Sequence, residues 1–226
     1  MRIVLVRHGQ TAANTAGALD TVRPGLPLTA EGRDQAERLA ARWESEVCGP
    51  PDVIAVSGLA RTRQTAAPLA REYGLVPVVH PGIRELRSGD VEMASDVCSQ
   101  ITYVRTVLRW CAGDLAARMP GGESGREALA RSVGAVHSIA LGARAEHGPG
   151  AVVVFVVHGG LTRLLSTALA DNLDETLVNM HFVGNTGTIV MEWAPDFAPA
   201  TADDLVGGLH ALTWDDRPVG DYEGAL

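Results

Sequence analysis

The chain contains no lysine; all nineteen of its basic residues are arginine. Schiff-base chemistry and lysine nucleophiles are therefore excluded, and any anion held by side-chain cations is held by arginine or histidine. Arginine's planar fork suits bidentate binding of phosphate or carboxylate. Cysteine is scarce. Cys48, Cys98 and Cys111 are widely spaced and odd in number, which suggests neither a disulfide framework nor a metal knuckle and fits a reducing, cytoplasmic setting. No apolar run is long enough to span a bilayer, so no membrane association is expected. The chain opens on an apolar strand, with no basic segment leading into an apolar stretch, so no signal peptide is expected. There is no internal repeat, no linker long enough to force two domains, and no metal-ligand spacing, so a single domain over 1–226 without metal or cofactor is predicted. The net charge of −8 argues against general nucleic-acid binding. Hydrophobic residues at 46% and charged residues at 20% place the chain among ordinary globular proteins, long enough to bury a full core.

What is present is organised around the first eleven residues, Met1-Arg-Ile-Val-Leu-Val-Arg-His-Gly-Gln-Thr11. Ile3 to Val6 is a short β-branched run of the kind buried on both faces in a parallel sheet. It stops at Arg7-His8-Gly9, and open α/β sheets place ligands at the carboxyl edge of their strands. Gly9 permits a sharp turn that lets Arg7 and His8 face one pocket. Taken alone, the tripeptide is equally compatible with a sheet-capping arginine and a hydrogen-bonded core histidine.

Along the chain, Thr11 to Pro27 reads as a polar loop. Thr29 caps an amphipathic helix over about Ala30 to Glu46, with Ala36, Leu39, Ala40 and Trp43 at helical spacing. Val53 to Val56 is a second strand, followed by a helix from Ala60 to Tyr73 closed by Gly74. Val76 to Val79 is a third strand. From Arg87 to Met119 the period is unclear apart from a helix over about Ser99 to Cys111. Pro120 to Ser124 is a loop leading into a long helix, Gly125 to His147, with Glu123 and Ser124 as its cap. Ala151 to Val157 is the most apolar strand; it ends at His158-Gly159-Gly160 and feeds a helix from Leu161 to Ala170. Thr186 to Trp193 and His210 to Trp214 are further strands, and the end, from about 215, reads as loose. Strands alternating with helices predict an α/β three-layer sandwich with a mostly parallel central sheet, helices on both faces and a small helical cap, about 87–122, over the strand C-terminal edge.

Two strands share an ending, histidine then glycine, so His8 and His158 are expected to be neighbours at one sheet edge. Val53 to Val56 delivers Arg61 and Arg63 into the first helical turn at that edge, where backbone N–H groups also favour an anion, and Glu85 follows the third strand. Purely as structure, two imidazoles and two guanidiniums with little counter-charge are costly unless an anion is bound. A phosphoryl group meets this inventory. Arginines stabilise its charge, a neutral imidazole attacks phosphorus, surrounding cations keep that imidazole neutral, and a protonated carboxyl serves the leaving alkoxide. Arg63 is expected in a helix-surface ion pair, and Cys98 and Cys111 as packing residues.

Arg7-His8-Gly9-Gln10-Thr11 with Asn14, then Ser57-x-x-x-Arg61-x-x-Gln64-Thr65-Ala66, Arg84-Glu85-Leu86, Pro120-Gly-Gly-Glu-Ser124 and His158-Gly159 together resemble the histidine phosphatase superfamily, and more closely its phosphoglycerate-mutase-like branch, over residues 1 to about 191. The resemblance implies His8 as the phosphorylated nucleophile and Arg7, Arg61 and His158 as the phosphate clamp. It implies Glu85 as proton donor to the leaving group and then base for water, Asn14 as a phosphate contact, and contacts from Gln10 and Gly159. It also makes a homodimer plausible. The sequence departs from the family where Ala18 follows Gly17, where Gly25-Leu26 precede Pro27-Leu28-Thr29, and where Gly89-Asp90-Val91-Glu92-Met93 lacks the family's tryptophan and second glycine.

The resulting expectation is a metal-independent phosphomonoesterase acting on a small phosphorylated metabolite through a phosphohistidine at His8. The first rival is a phosphoglycerate-type phosphomutase. The mutases resembled carry a longer, more basic segment after the acid, whereas Arg87 to Met119 offers only Arg87, Arg105, Arg109 and Arg118. The second rival is a non-catalytic phosphate- or partner-binding module, and the third is a metal site built from His8, His158 and Glu85.

Overall fold

The computed structural model describes residues 1–173 and 175–222. Its first strand, β1 (Arg2–Arg7), shows why the fold has three layers. Successive side chains of a strand point to opposite faces. Ile3 and Leu5 enter one apolar cluster and Val4 and Val6 the other. β2 (Val53–Val56) and β4 (Val152–Val157) split the same way: Phe155 joins Ile3 and Leu5, while Val154, Val156 and Ile54 join Val4 and Val6. Burying each such side chain stabilises the fold by about 1.5–3 kcal/mol, so both faces demand a helical layer.

On one face lie α2 (Ala30–Arg42), which continues as one π-helical turn over Trp43–Val47, and α3 (Ala60–Glu72). Leu39, Trp43, Ala66 and Leu69 supply their apolar stripe. On the other face lie α4 (Val97–Cys111), α5 (Gly125–His147) and α6 (Gly159–Leu169). With β3 (Val78–Val79), β5 (Thr188–Glu192) and β6 (His210–Ala211), the sheet runs β3-β2-β4-β1-β5-β6. The first four strands are mutually parallel; β5 lies antiparallel to β1. The central position of β4, between β2 and β1, brings the ends of three strands side by side, and this positions the site.

The segment after Arg87, expected as a cap, holds α4, which packs against α6. Asp96 caps α4 by accepting from the Ser99 amide, and Tyr103, Val107 and Trp110 bury the inner face of α4. Among the described residues, no helix is long and apolar enough to cross a membrane.

Four expectations are corrected. The loop after Thr11 holds a short helix, α1 (Ala12–Ala16), fixed by a capping box between Thr11 and Asn14; five residues are too few to show a period. His210 to Trp214 is two strands, because β7 (Thr213–Trp214) leaves the sheet to pair with β8 (Arg217–Pro218). The end of the chain is tied down through Tyr222. The Asp216 carboxylate accepts from the Thr188 hydroxyl at 2.6 Å and from Arg42 at 2.9 Å, and Tyr222 donates to the Trp214 carbonyl at 2.9 Å; the last four residues of the predicted loose tail lie outside the described residues. Ser124 caps α5 with Glu127 as its box partner, but Glu123 takes no part in the cap. Its carboxylate, held down at about 2, is gripped by Arg84 and Arg131 at 2.8 Å each. One further short helix, α7 (Glu175–Met180), leads from α6 toward β5.

Candidate active site

The turn after β1 presents His8 without unusual backbone angles. Gly9 is required for close approach instead: a Cβ there would sit 2.5 Å from the Gly32 carbonyl oxygen of α2. The His8 ring is 4% exposed, and its Nδ1 lies 2.7 Å from the Gly9 carbonyl. A carbonyl can only accept, so Nδ1 carries the proton and Nε2 keeps its lone pair. Burial, then Arg61, then Arg7 push the His8 pKa well below the ordinary imidazole value of 6.5, against the opposing pull of the Gly9 carbonyl.

His158 stands edge-on to His8, with ring centroids 5.2 Å apart. Both of its nitrogens are engaged. Arg61 donates from Nε to Nδ1 at 3.2 Å, so the ring proton sits on Nε2 and is donated to Ser57 Oγ at 2.8 Å. Ser57 in turn lies 3.0 Å from the Thr62 hydroxyl. His158 is fully buried, and burial together with Arg61 pushes its pKa well below 6.5 as well.

A cavity of about 340 Å³ opens on His8, Arg7, Asn14, Arg61, Glu85 and Gly159, which is most of the set predicted from sequence. Arg7 donates to the Val183 carbonyl at 2.7 Å, yet its buried Nε has no partner; Gly159 leaves that nitrogen room, since a Cβ would stand 3.3 Å from it. Glu85 Oε1 accepts from the Leu86 and Leu161 amides at 2.8 and 2.9 Å, and Oε2 accepts from the Gly160 amide at 3.1 Å. The first turn of α6 thus fixes the carboxyl at the cavity wall. Asn14 Oδ1 accepts from the Thr11 amide and from Asn185, whose amide also donates to the His8 carbonyl at 2.9 Å.

Two predicted placements are corrected. Gln10 turns away from the cavity to the start of α2, where its side chain accepts from the Thr29 hydroxyl at 2.9 Å. His158 lies behind Arg61 and His8 rather than in the cavity wall, because Ser57, at the end of the adjoining strand, draws its ring inward. No group of three or more metal-ligating side chains comes together, at His8, His158 and Glu85 or elsewhere, among the described residues. Arg63 is exposed and makes no ion pair among them; its neighbours are Ala67, Arg71 and Pro77, away from the site.

A family model described as the histidine phosphatase superfamily (branch 1) matches residues 3–200. The chain belongs to that superfamily. Its relatives include the following three. PE-PGRS family protein PE_PGRS11 of Mycobacterium tuberculosis is 32% identical over 96% of this chain, and the chain spans 37% of that protein's length. Glucosyl-3-phosphoglycerate phosphatase of Mycobacterium tuberculosis is 33% identical over 86% of this chain and 87% of its own. "Probable phosphoglycerate mutase GpmB" of Yersinia enterocolitica is 35% identical over 75% of each. A solved structure of mycobacterial glucosyl-3-phosphoglycerate phosphatase with VO3 superimposes with a TM-score of 0.67 at 29% identity, covering 84% of this chain and 92% of that one.

In this histidine phosphatase superfamily member, sequence reasoning missed Asp20. Its side chain is 7% exposed, and it accepts from Arg61 Nη1 at 3.3 Å and from the Leu26 amide at 2.7 Å, while its carbonyl takes Arg61 Nη2 at 2.8 Å. Gly25, at φ +69°, makes room for this guanidinium, since a Cβ would meet Arg61 Nη1 at 2.6 Å. The departures in this loop thus go with an arginine held from two sides, by Asp20 and by His158. Tyr103 and Arg163, also in the cavity wall, carried no sequence signal beyond helical core spacing.

Two neutral buried imidazoles have a consequence for stability. Unfolding releases rings that protonate near 6.5, whereas the folded rings resist protonation until well below it. Below that value the unfolded chain binds more protons, so stability rises with pH and is lost as pH falls from about 6.5 toward the folded values, by up to about 1.4 kcal/mol per pH unit for each ring. Urea unfolding followed between pH 7 and 5 is expected to show this decline. A flat profile would mean that neither ring resists protonation in the folded state.

Proposed function

We propose that the protein hydrolyses a phosphomonoester of a small metabolite, without a metal, through a phosphohistidine at His8. The observation that carries this is the pairing of an unprotonated, cavity-facing His8 Nε2 with the buried, unpartnered Nε of Arg7. A nucleophile and an empty anion donor share one wall. The His8 lone pair attacks phosphorus as the ester P–O bond breaks, and Glu85 gives its proton to the departing alkoxide. Water then attacks phosphorus, Glu85 takes the water's proton, and the P–N bond's electrons return to His8. Arg7 and Arg61 stabilise the charge on the phosphoryl oxygens, Asn14 faces the same space, and Gly159 gives Arg7 its room. His158 acts as a positioning residue, holding Arg61 Nε. The cavity is of the size that holds a small organic ester.

Hydrolysis is favoured over transfer by the cap. Arg109 and Arg118 are paired with Asp114 and Glu127, and neither they nor Arg87 and Arg105 line the cavity. The presence of a phosphatase among the relatives points the same way, and the mutase-like relative makes phosphoryl transfer the reading to test against. Phosphate release from a panel of phosphomonoesters in excess chelator tests the proposal. Release is expected; conversion of 3-phosphoglycerate into 2-phosphoglycerate without net phosphate release would overturn it in favour of the mutase.

A further inference from the structure

One cation of the cavity has no counterpart. Arg163, on α6, is 7% exposed, and among the described residues its guanidinium makes no hydrogen bond and no ion pair; Nη2 is wholly buried without a partner. A solvated arginine needs no partner, but one more than nine-tenths buried is costly without one. The Phe182 ring lies over it, its centroid 3.8 Å from Cζ. The carboxylates nearest the cavity are already committed, Asp20 to Arg61 and the Leu26 amide, Glu85 to three backbone amides. Arg163 also follows Gly159 by four residues on α6. The two share a helix face, and Arg163 lies about 6 Å along the axis from the glycine that backs Arg7.

We propose that Arg163, walled by Phe182, is a second anion subsite that binds a carboxylate of the substrate, about one helical turn from the phosphoryl group held by Arg7 and Arg61. This rests on the phosphomonoester reading of the same cavity and adds the substrate class, a phosphomonoester that also carries a carboxylate. A carboxylate is preferred over a second phosphate on charge. A lone guanidinium matches a planar carboxylate bidentately with one charge for one; among the described residues the other cations of the cavity wall, Arg7 and Arg61, are those that face the phosphoryl group, which leaves Arg163 alone to balance a second anion. The cap contributes no cation, since its four arginines lie outside the cavity.

The test is calorimetric binding of 3-phosphoglycerate and of glycerol 3-phosphate, which differ in carboxylate against hydroxymethyl. The protein is His8→Ala, so that binding is read without turnover, compared with His8→Ala/Arg163→Gln and His8→Ala/Arg163→Lys. The expected preference for 3-phosphoglycerate is about 10- to 30-fold, the worth of a charged hydrogen-bonded pair. It collapses toward unity with glutamine and is partly restored by lysine. The ratio cancels any general loss of phosphate binding. Melting temperature is a second readout: removing an unpaired buried charge is expected to leave it equal or higher, where a purely structural arginine would lower it. Equal binding of both esters by the Arg163-containing protein, or a preference that survives Arg163→Gln, overturns the subsite while leaving the phosphomonoester reading standing. Binding of neither ester overturns both.

Discussion

His8→Ala is expected to lower phosphate release by about 10⁴-fold or more, because it removes the atom on which the phosphoryl group rests between the two half-reactions. The size of the effect follows from how little else can substitute. His158 is 5.2 Å away centroid to centroid, but its two nitrogens are taken by Ser57 and Arg61. Acid-labile, alkali-stable labelling of the protein from a ³²P-ester is the direct measurement. The unaltered protein is expected to take up label in one turnover, His8→Ala none. His158→Ala is expected to label slowly, since Arg61 loses one of its two anchors but the nucleophile remains. Equal labelling of His8→Ala and the unaltered protein would remove His8 from the nucleophile's role. The variant removes a ring held by one hydrogen bond at a strand end, so it is expected to fold, and the slope of stability against pH should fall by the share of one imidazole.

The sheet was legible from its apolar runs because each run ends in a residue type that changes the physics abruptly. Val4 to Val6 stops at a cation and an imidazole, and Val152 to Val157 at a histidine and two glycines. The strand order that brings His8, His158 and Ser57 together is a property of parallel pairing, and the shared His-Gly ending signalled it. What was not legible arises from contacts between segments far apart in sequence. Asp20 reads as one polar residue in a loop, and only the fold sets it against Arg61, 41 residues later. Gln10 has the composition of a phosphate contact, but Gly32 lets α2 approach so closely that its side chain serves Thr29 instead. Arg163 sits at helical spacing among leucines, and nothing in that spacing shows the Phe182 ring that covers it from beyond α7. The tail failed for the same reason: Asp216 is a surface residue until Thr188 and Arg42 are placed beside it.

Glu85→Gln separates the chemical roles of the site. The glutamine is isosteric and can still accept from the Leu86 and Leu161 amides; it removes the transferable proton and gives up only the 3.1 Å acceptance from the Gly160 amide, which its NH2 cannot replace. For an alkyl ester, whose alkoxide must be protonated as it leaves, the first-turnover rate is expected to fall by about 10²- to 10⁴-fold. For p-nitrophenyl phosphate, whose phenolate departs unprotonated, the first turnover should change little, and the defect should move to the second step, where water has lost its base. Rapid mixing would then show a burst of nitrophenol followed by a slow steady state, with the label on His8 accumulating. Both esters slowing alike in the first turnover would instead assign Glu85 to holding the start of α6, because that outcome follows from a displaced Gly160 and a misplaced Arg7, not from a missing proton. The contrast between the two esters is therefore the measurement that distinguishes a proton donor from a structural carboxylate fixed by the same three amides.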